Sequence, residues 1–237
     1  MSASAMEGAR VSEQRGIVAA PADAPAGHER ARTGAVAGVT RAAEAHGFLL
    51  VVSGPSGAGK GTLVEHLLKQ RPDCVFSVSA TTRPRRSTEA EGREYIFLTH
   101  EEFERRREAG WFLEWAEVHG HLYGTPVEPV EAEMGAGRVV VLDIDVQGGA
   151  SVRRVRPDAV SVFVYPPSIE SLRARLEARG TDSSDVIEQR LKNAPGELAQ
   201  WVHYDYVIMN DLLARAQAEL LAIHDAEHAH AHRHRIS

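Results

Sequence analysis

Short, unbroken apolar runs alternate with amphipathic stretches along the middle and the end of the chain. The run Phe48–Val52 has no polar alternation, which is typical of a strand buried on both faces of a parallel sheet. Similar runs predict further strands at Val75–Val78, Arg138–Leu142, Ala159–Tyr165 and Tyr206–Met209. Segments with helical spacing lie between them, at Thr62–Lys69, Val146–Val155, Ser168–Arg179, Asp185–Ala199 and Asp211–Ala226. This order predicts an α/β fold, with a parallel sheet flanked by helices on both faces.

The regular alternation is interrupted between residues 81 and 124. This region predicts short strands at Tyr95–Leu98 and Phe112–Val118 on either side of a helix. Thr99 at the start of that helix, with Glu102 three residues later, matches a capping box. We expect a small mixed α/β insertion that stands off the main sheet.

Composition and charge narrow the functional class. Hydrophobic residues make up 43% and charged residues 25% of the chain, as in an ordinary globular protein. The net charge of -6 argues against a general partner for nucleic acid polymers or anionic membranes, because neutralising many phosphates needs surplus Lys and Arg. No run approaches the roughly 20 apolar residues of a membrane span, and residues 1–46 lack the apolar core of a secretory signal. These features predict a cytoplasmic protein.

The two ends of the chain and its single cysteine carry weaker signals. Residues 1–46 are rich in Ala, Gly, Ser and charges, which favours a disordered extension. Residues 225–237 are rich in His; they could hold a divalent metal, but a solvated helix end is the favoured interpretation. Cys74 lies in an apolar run and is interpreted as a small buried hydrophobe.

The most specific local motif is the glycine-rich segment Gly54–Gly61, between the first strand and the first helix. Glycines allow backbone N–H groups to converge on a phosphate, and the helix N-terminus adds partial positive charge. Lys60 can reach the β- and γ-phosphates. The strand before and the helix after favour an ATP-binding loop over a plain turn. The predicted ATP-binding residues are Gly54, Pro55, Ser56, Gly57, Ala58, Gly59, Lys60, Gly61 and Thr62.

Magnesium ligation departs from the usual pattern of such loops. Gly61 stands where the motif commonly has Ser or Thr as a metal ligand, and the hydroxyl of Thr62 is assigned to an α-phosphate oxygen. Asp143 and Asp145 follow a strand at alternate positions, at the sheet edge where ligands bind. Asp143 is the candidate for Mg²⁺, directly or through water. A helix cap is the alternative interpretation of Asp145.

A further set of motifs identifies a family. The segments Ser77–Arg86, Glu91–Tyr95, Phe112–Ala116 and Gly120–Thr125 strongly resemble the guanylate kinase family. Additional matching segments are Leu142–Gly148, Pro166–Ser168, Arg179–Gly180 and Asn210–Asp211, and the resemblance is collinear from about Phe48 to His224. It implies a P-loop NTPase-type domain over residues 47–224, with a core of 47–80 and 126–224. A monophosphate-binding insertion would cover about 81–125, and a short lid about 179–190.

The resemblance also implies the roles of individual residues. Arg83, Arg86, Tyr95 and Tyr123 would hold the acceptor phosphate, and Glu114 would accept the N1–H and the exocyclic amine of guanine. Matching positions for GMP binding also include Ser79, Thr125 and Asp143. Lys60, Arg86 and the lid arginines Arg179 and Arg190 would supply charge for catalysis, with Arg173 and Arg175 as competing candidates for the lid positions.

These assignments predict transfer of the γ-phosphoryl group of MgATP to GMP or dGMP. The acceptor phosphate is already ionised at neutral pH, so alignment and charge neutralisation suffice without a general base. Two alternatives stay open: a non-enzymatic module of the same fold, and a P-loop kinase for another phosphorylated small molecule. Lys60, Arg83 and Glu114 favour the guanylate kinase activity over both. The oligomeric state is left open.

Overall fold

The computed structural model describes residues 44–87, 89–118, 120–180, 183–230 and 234–235. Residues 1–43 of the predicted extension, and residues 231–233 and 236–237 of the His-rich end, therefore lie outside the described residues. The strands are β1 (Glu44–Ala45), β2 (Leu49–Ser53), β3 (Cys74–Phe76), β4 (Ala80–Thr81), β5 (Ile96–Phe97), β6 (Phe112–Val118), β7 (His121–Pro126), β8 (Val139–Asp143), β9 (Val160–Tyr165), β10 (Tyr206–Met209) and β11 (His234–Arg235). The helices are α1 (Lys60–Gln70), α2 (His100–Glu108), α3 (Val127–Gly135), α4 (Val146–Val155), α5 (Ile169–Arg179), α6 (Ser184–Leu198) and α7 (Leu213–His228), with a 3₁₀ helix at Ala199–His203.

A parallel sheet of five strands forms the centre of the fold, in the order β10-β9-β2-β8-β3. Alternate side chains of β2 point to opposite faces of this sheet. Leu50 and Val52 pack with buried residues of α1, α5, α6 and α7, whereas Leu49 and Val51 pack with those of α3 and α4. The predicted α/β architecture is therefore confirmed, and burial of both faces explains the unbroken apolar runs.

A second sheet of four strands, in the order β5-β4-β7-β6, covers most of the interrupted region. Strands β6 and β7 pair antiparallel, with an irregularity between Phe112 and Glu114 that sets Glu114 opposite Thr125. Helix α2 buries Phe103 against this sheet. The Thr99 hydroxyl accepts a hydrogen bond from the Glu102 N–H, as the capping motif predicts.

Helix α3 is an element that the hydrophobic pattern does not predict. Val130 is its one fully buried residue, so the segment shows little helical periodicity. Pro129 also falls within its first turn, a position where proline is tolerated because that N–H has no partner inside the helix. Among the described helices, none is long and apolar enough to cross a membrane.

Candidate active site

A glycine-rich loop joins the carboxyl end of β2 to the start of α1. Gly54 and Gly59 have φ angles of 142° and 97°, in the region that favours glycine. A Cβ atom on Gly54 would also lie 2.5 Å from the carbonyl oxygen of Val164. Helix α1 has neither a side-chain cap nor an acidic residue in its first turn, so its first N–H groups and its positive end are available to an anion. The loop and helix together form a phosphate-binding site.

Two basic side chains contact this loop directly. The Nζ of Lys60 donates hydrogen bonds to the carbonyl oxygens of Gly54 at 2.8 Å and Pro55 at 3.2 Å. Arg190, from α6, donates a hydrogen bond to the hydroxyl of Ser56. The loop thus carries two cations at the position where a bound phosphate would need them.

Residues from α5 and the end of β10 support the back of the loop. Arg175 donates to the carbonyl oxygens of Ala58 at 3.0 Å and Asn210 at 2.8 Å. The buried amide of Asn210 donates to the same Ala58 oxygen at 2.7 Å. Arg175, an alternative lid arginine in the sequence, is therefore a support of the loop. The motif containing Asn210 is visible in the sequence, but its role depends on a contact across the fold.

The two predicted acids after β8 occupy different environments. Asp145 caps α4 by accepting a hydrogen bond from the Gly148 N–H at 2.8 Å, as the alternative interpretation proposed. Asp143 ends β8 beside the phosphate loop. Burial raises the pKa of Asp143, and the charges of Lys60 and Arg179 oppose that shift. Because Gly61 has no side chain, the space next to the Asp143 carboxylate stays open; a Cβ at this position would lie 3.5 Å from it.

Glu114 is a buried acid on β6. Its side chain accepts a hydrogen bond from the Thr125 hydroxyl at 2.7 Å, a contact set by their pairing across β6 and β7. Burial raises the pKa of Glu114 to about 7, and the nearby Asp145 adds to this, whereas the hydrogen bonds from Thr125 oppose it. Gly148 approaches the other carboxylate oxygen so closely that a Cβ there would lie 3.1 Å away. The site therefore holds an acid with one oxygen positioned by Thr125.

Arg83 and Arg86 lie on the loop that follows β4, and a third residue orders them. Arg83 donates to the carboxylate of Glu89 at 2.7 Å, and the backbone N–H of Arg86 donates to the other oxygen of that carboxylate at 2.8 Å. The Arg83 guanidinium lies 5.4 Å from the ring centroid of Tyr95, which in turn packs edge-on against Tyr123. The sequence analysis did not identify Glu89 as a site residue. A usable signal for it is its position three residues after Arg86.

These groups line two adjoining cavities of about 680 Å³ and 380 Å³. Both cavities are lined by Ser56, Lys60, Ser79, Tyr95, Asp143 and Arg179. The larger also contains Gly57, Gly59, Gly61 and Thr62 of the loop, whereas the smaller contains Gly54, Arg83, Arg86, Glu114, Tyr123 and Arg190. Thr125 is buried behind Glu114. The fold thus brings almost all of the predicted site residues into one divided cleft.

The predicted lid contributes arginines from two helices. Arg179, the last residue of α5, lines both cavities, and Arg190 lines the smaller one. Arg173 pairs instead with Glu188 on the outer surface, which excludes this competing candidate from the described site. Residues 181–182, in the centre of the predicted lid, lie outside the described residues.

Sequence reasoning also missed Glu197, near the end of α6. Its carboxylate lines the smaller cavity. Burial raises its pKa, Lys60 and Arg190 act in the opposite direction, and Asp145 adds to the rise. Glu197 follows Arg190 by seven residues, two helical turns, so the position of that arginine is a usable signal for it.

A phosphate-binding loop at the carboxyl edge of a parallel sheet, beside a second cavity lined by arginine, tyrosine and a buried acid, defines a P-loop phosphotransferase of the nucleoside-monophosphate kinase class. Comparison with known proteins narrows this class. The family model described as guanylate kinase matches residues 47–227, and the chain belongs to that family.

Individual relatives agree with this assignment. The guanylate kinase of Symbiobacterium thermophilum is 56% identical over 183 residues, covering 77% of this chain and 87% of the relative. That of Rubrobacter xylanophilus is 51% identical over 177 residues, covering 75% and 93%. The crystal structure of guanylate kinase from Anaplasma phagocytophilum superposes with a TM-score of 0.69 at 35% identity, covering 81% of this chain and 92% of that one.

Proposed function

We propose that this protein transfers the γ-phosphoryl group of MgATP to GMP or dGMP, giving ADP and GDP or dGDP. One observation carries the proposal: the buried acid Glu114 lies in an arginine-lined cavity that shares Lys60 and Arg179 with the cavity of the phosphate loop. A purine monophosphate in the smaller cavity would therefore present its phosphate to a donor held in the larger one.

The chemistry of Glu114 favours guanine as the base. An ionised carboxylate accepts from both the N1–H and the exocyclic amine of guanine, whereas adenine lacks that adjacent donor pair. An adenine would leave a buried charge poorly paired, which is costly. Thr125 fixes one carboxylate oxygen, and we assign Ser79 a further hydroxyl contact to the base.

The phosphate of the acceptor is assigned to Arg83, Arg86, Tyr95 and Tyr123. Guanidinium groups match a phosphate dianion in geometry and charge, and phenol hydroxyls add neutral donors. Glu89 accepts hydrogen bonds from the guanidinium of Arg83 and from the backbone N–H of Arg86, and so orders the segment that carries both arginines. This arrangement supports recognition of a monophosphate next to the guanine-reading carboxylate.

The transfer itself requires alignment and charge neutralisation. The N–H groups of the phosphate loop and Lys60 would hold the β- and γ-phosphates of ATP. Arg86, Arg179 and Arg190 would neutralise charge on the group in transfer, because all three line the smaller cavity, which borders that of the loop. No side chain has to remove a proton from an ionised phosphate acceptor.

The donor set beside the loop fits a magnesium ion. Asp143 offers a half-buried carboxylate, the ligand type that Mg²⁺ prefers, and Gly61 leaves the adjoining space open. We propose that Asp143 holds the ion, directly or through water. When bound, Mg²⁺ neutralises charge on the phosphate oxygens.

We further infer that the four-stranded sheet, at about residues 81–125, is the acceptor-binding insertion. Residues 179–190 would then form the lid. Closure of both segments over the substrates would exclude water and limit ATP hydrolysis.

A coupled assay of ADP release tests the proposal with GMP, dGMP, AMP, UMP and CMP as acceptors. We expect turnover with GMP and dGMP, and much lower turnover with the other three. Folded protein that shows no turnover with GMP in the presence of Mg²⁺ would support the non-enzymatic module. Preferential turnover of another acceptor would support the second alternative.

A further inference from the structure

A second cluster of metal-ligating side chains lies at the N-terminal ends of the strands of the main sheet, away from the phosphate loop. Cys74 is the first residue of β3, Asp73 precedes it, and His224 reaches the same place from α7. One ligand atom from each of these residues lies within 4.8 Å of the other two. Thiolate, imidazole and carboxylate together form a donor set that suits Zn²⁺.

His224 is oriented for metal binding by its hydrogen-bonding environment. It is 3% exposed, and its Nε2 lies 3.1 Å from a carboxylate oxygen of Asp73. Ligand atoms in a tetrahedral zinc site are separated by roughly 3.3 Å, given bond lengths of about 2.0 Å, so an ion could replace the hydrogen between this pair.

The second nitrogen of His224, Nδ1, lies 3.0 Å from a carboxylate oxygen of Asp225. Asp225 is itself held by Arg71, which donates to both carboxylate oxygens at 2.7 Å and 2.6 Å. A carboxylate on the outer nitrogen is the arrangement that fixes a metal-ligating histidine and raises its basicity.

A fourth ligand is available one turn further along α7. His228 follows His224 by four residues, so both side chains project from the same face of the helix. The Nε2 of His228 lies 3.8 Å from the Asp73 carboxylate, and the two imidazole rings are 5.8 Å apart. Asp73, Cys74 and His224 therefore form the cluster between α7 and the start of β3, and His228 lies next to its carboxylate as the candidate for the fourth position.

We propose that Asp73, Cys74, His224 and His228 form a structural zinc site. Zinc binding would displace the proton of the Cys74 thiol and join α7 to the segment that connects α1 with β3. Because the ligands come together only in the folded chain, the ion would stabilise the folded state. The site is distinct from the proposed magnesium position at the opposite edge of the sheet.

Cobalt substitution tests the site on the untagged, full-length, metal-free protein. We expect one equivalent of Co²⁺ to give tetrahedral visible bands and a thiolate-to-cobalt charge-transfer absorption, both lost when Zn²⁺ is added. The isosteric variant Cys74→Ser should lack the charge-transfer absorption. The control His203→Gln, which changes an exposed histidine outside the cluster, should behave as the wild type.

Two further variants separate the site from the histidine-rich end and test the outer carboxylate. Joint replacement of His230, His232 and His234 by Gln should leave the charge-transfer absorption intact. Asp225→Asn should weaken cobalt binding by about tenfold or more. The proposal is overturned if the wild type shows no thiolate-to-cobalt absorption, if Cys74→Ser retains it, or if removing the three terminal histidines abolishes it. Unchanged affinity in Asp225→Asn would overturn the orienting role of that carboxylate.

Discussion

The substitution Glu114→Gln should stabilise the ligand-free protein at alkaline pH. Burial raises the pKa of Glu114 from its ordinary 4.5 to about 7. Because the folded state binds this proton more tightly than the unfolded state, the protein loses stability as the pH rises from 4.5 through 7. At 1.36 kcal/mol per pH unit, the full cost of ionisation above pH 7 is about 3 kcal/mol. Gln removes this cost and can still accept the hydrogen bond from Thr125.

Urea and thermal unfolding at two pH values measure this effect. At pH 8.5 the variant should be more stable by up to about 3 kcal/mol, or roughly 6–12 °C in Tm for a domain of this size. At pH 4.5 the difference in stability between the variant and the wild type should be small, because the wild-type acid is then mostly protonated in the folded state. A gap that is the same at both pH values, or a variant that is less stable at pH 8.5, would refute a buried, titrating Glu114.

The same substitution should weaken recognition of the acceptor. Hydrogen bonds to a charged group contribute about 1.5–3 kcal/mol, so the ratio of kcat/KM for GMP over AMP should fall by roughly 10- to 100-fold. With a pKa of about 7, Glu114 is ionised in about one tenth of the protein at pH 6, so wild-type affinity for GMP should drop about tenfold between pH 8 and pH 6. Glu114→Gln is the control for titration of the GMP phosphate itself, because any pH dependence that the variant keeps does not come from residue 114. An unchanged GMP/AMP ratio would show that Glu114 does not read guanine.

Three other substitutions test the remaining parts of the site. Lys60→Ala should remove most phosphoryl transfer with every acceptor in the ADP-release assay, whereas Lys69→Ala, an exposed lysine on the same helix, should not. Glu89→Ala should raise KM for GMP several-fold with a smaller change in kcat, because it frees the Arg83 guanidinium from its fixed position; an unchanged KM would contradict this. Arg175→Ala should raise KM for ATP, measured at saturating GMP, because it removes one of the two side chains that donate to the Ala58 carbonyl oxygen of the loop; an effect on GMP alone would argue against a loop-supporting role.

The fold could be predicted largely from the sequence because its central strands are buried on both faces. Such strands appear as continuous apolar runs, and the helices α1, α4, α5, α6 and α7 each bury at least two apolar side chains. Helix α3 could not be predicted in this way, since it buries only Val130 completely. Two-residue strands such as β4 likewise have no periodicity of their own and depend on pairing with β7.

The candidate site was predictable where its chemistry is local in the chain. The phosphate loop is one continuous segment, and the acceptor residues fall within spaced motifs. The supporting contacts could not be predicted, because they join segments that are distant in the sequence. Arg175 and Asn210 meet at the carbonyl oxygen of Ala58. Neither residue type has a fixed spacing from the loop, so only the folded chain shows that they hold it.

The distribution of buried and half-buried acids gives an independent argument for where the function lies. Glu114, Asp143 and Glu197 are all acids whose pKa is raised by burial, and all three line the cavity that also contains Lys60 and Arg190. Packing alone would replace such groups with apolar ones, since desolvated carboxylates cost stability. Their concentration in one cleft therefore indicates that they are retained for a ligand, and a base with two adjacent donors next to a phosphate is the ligand that these charges complement best.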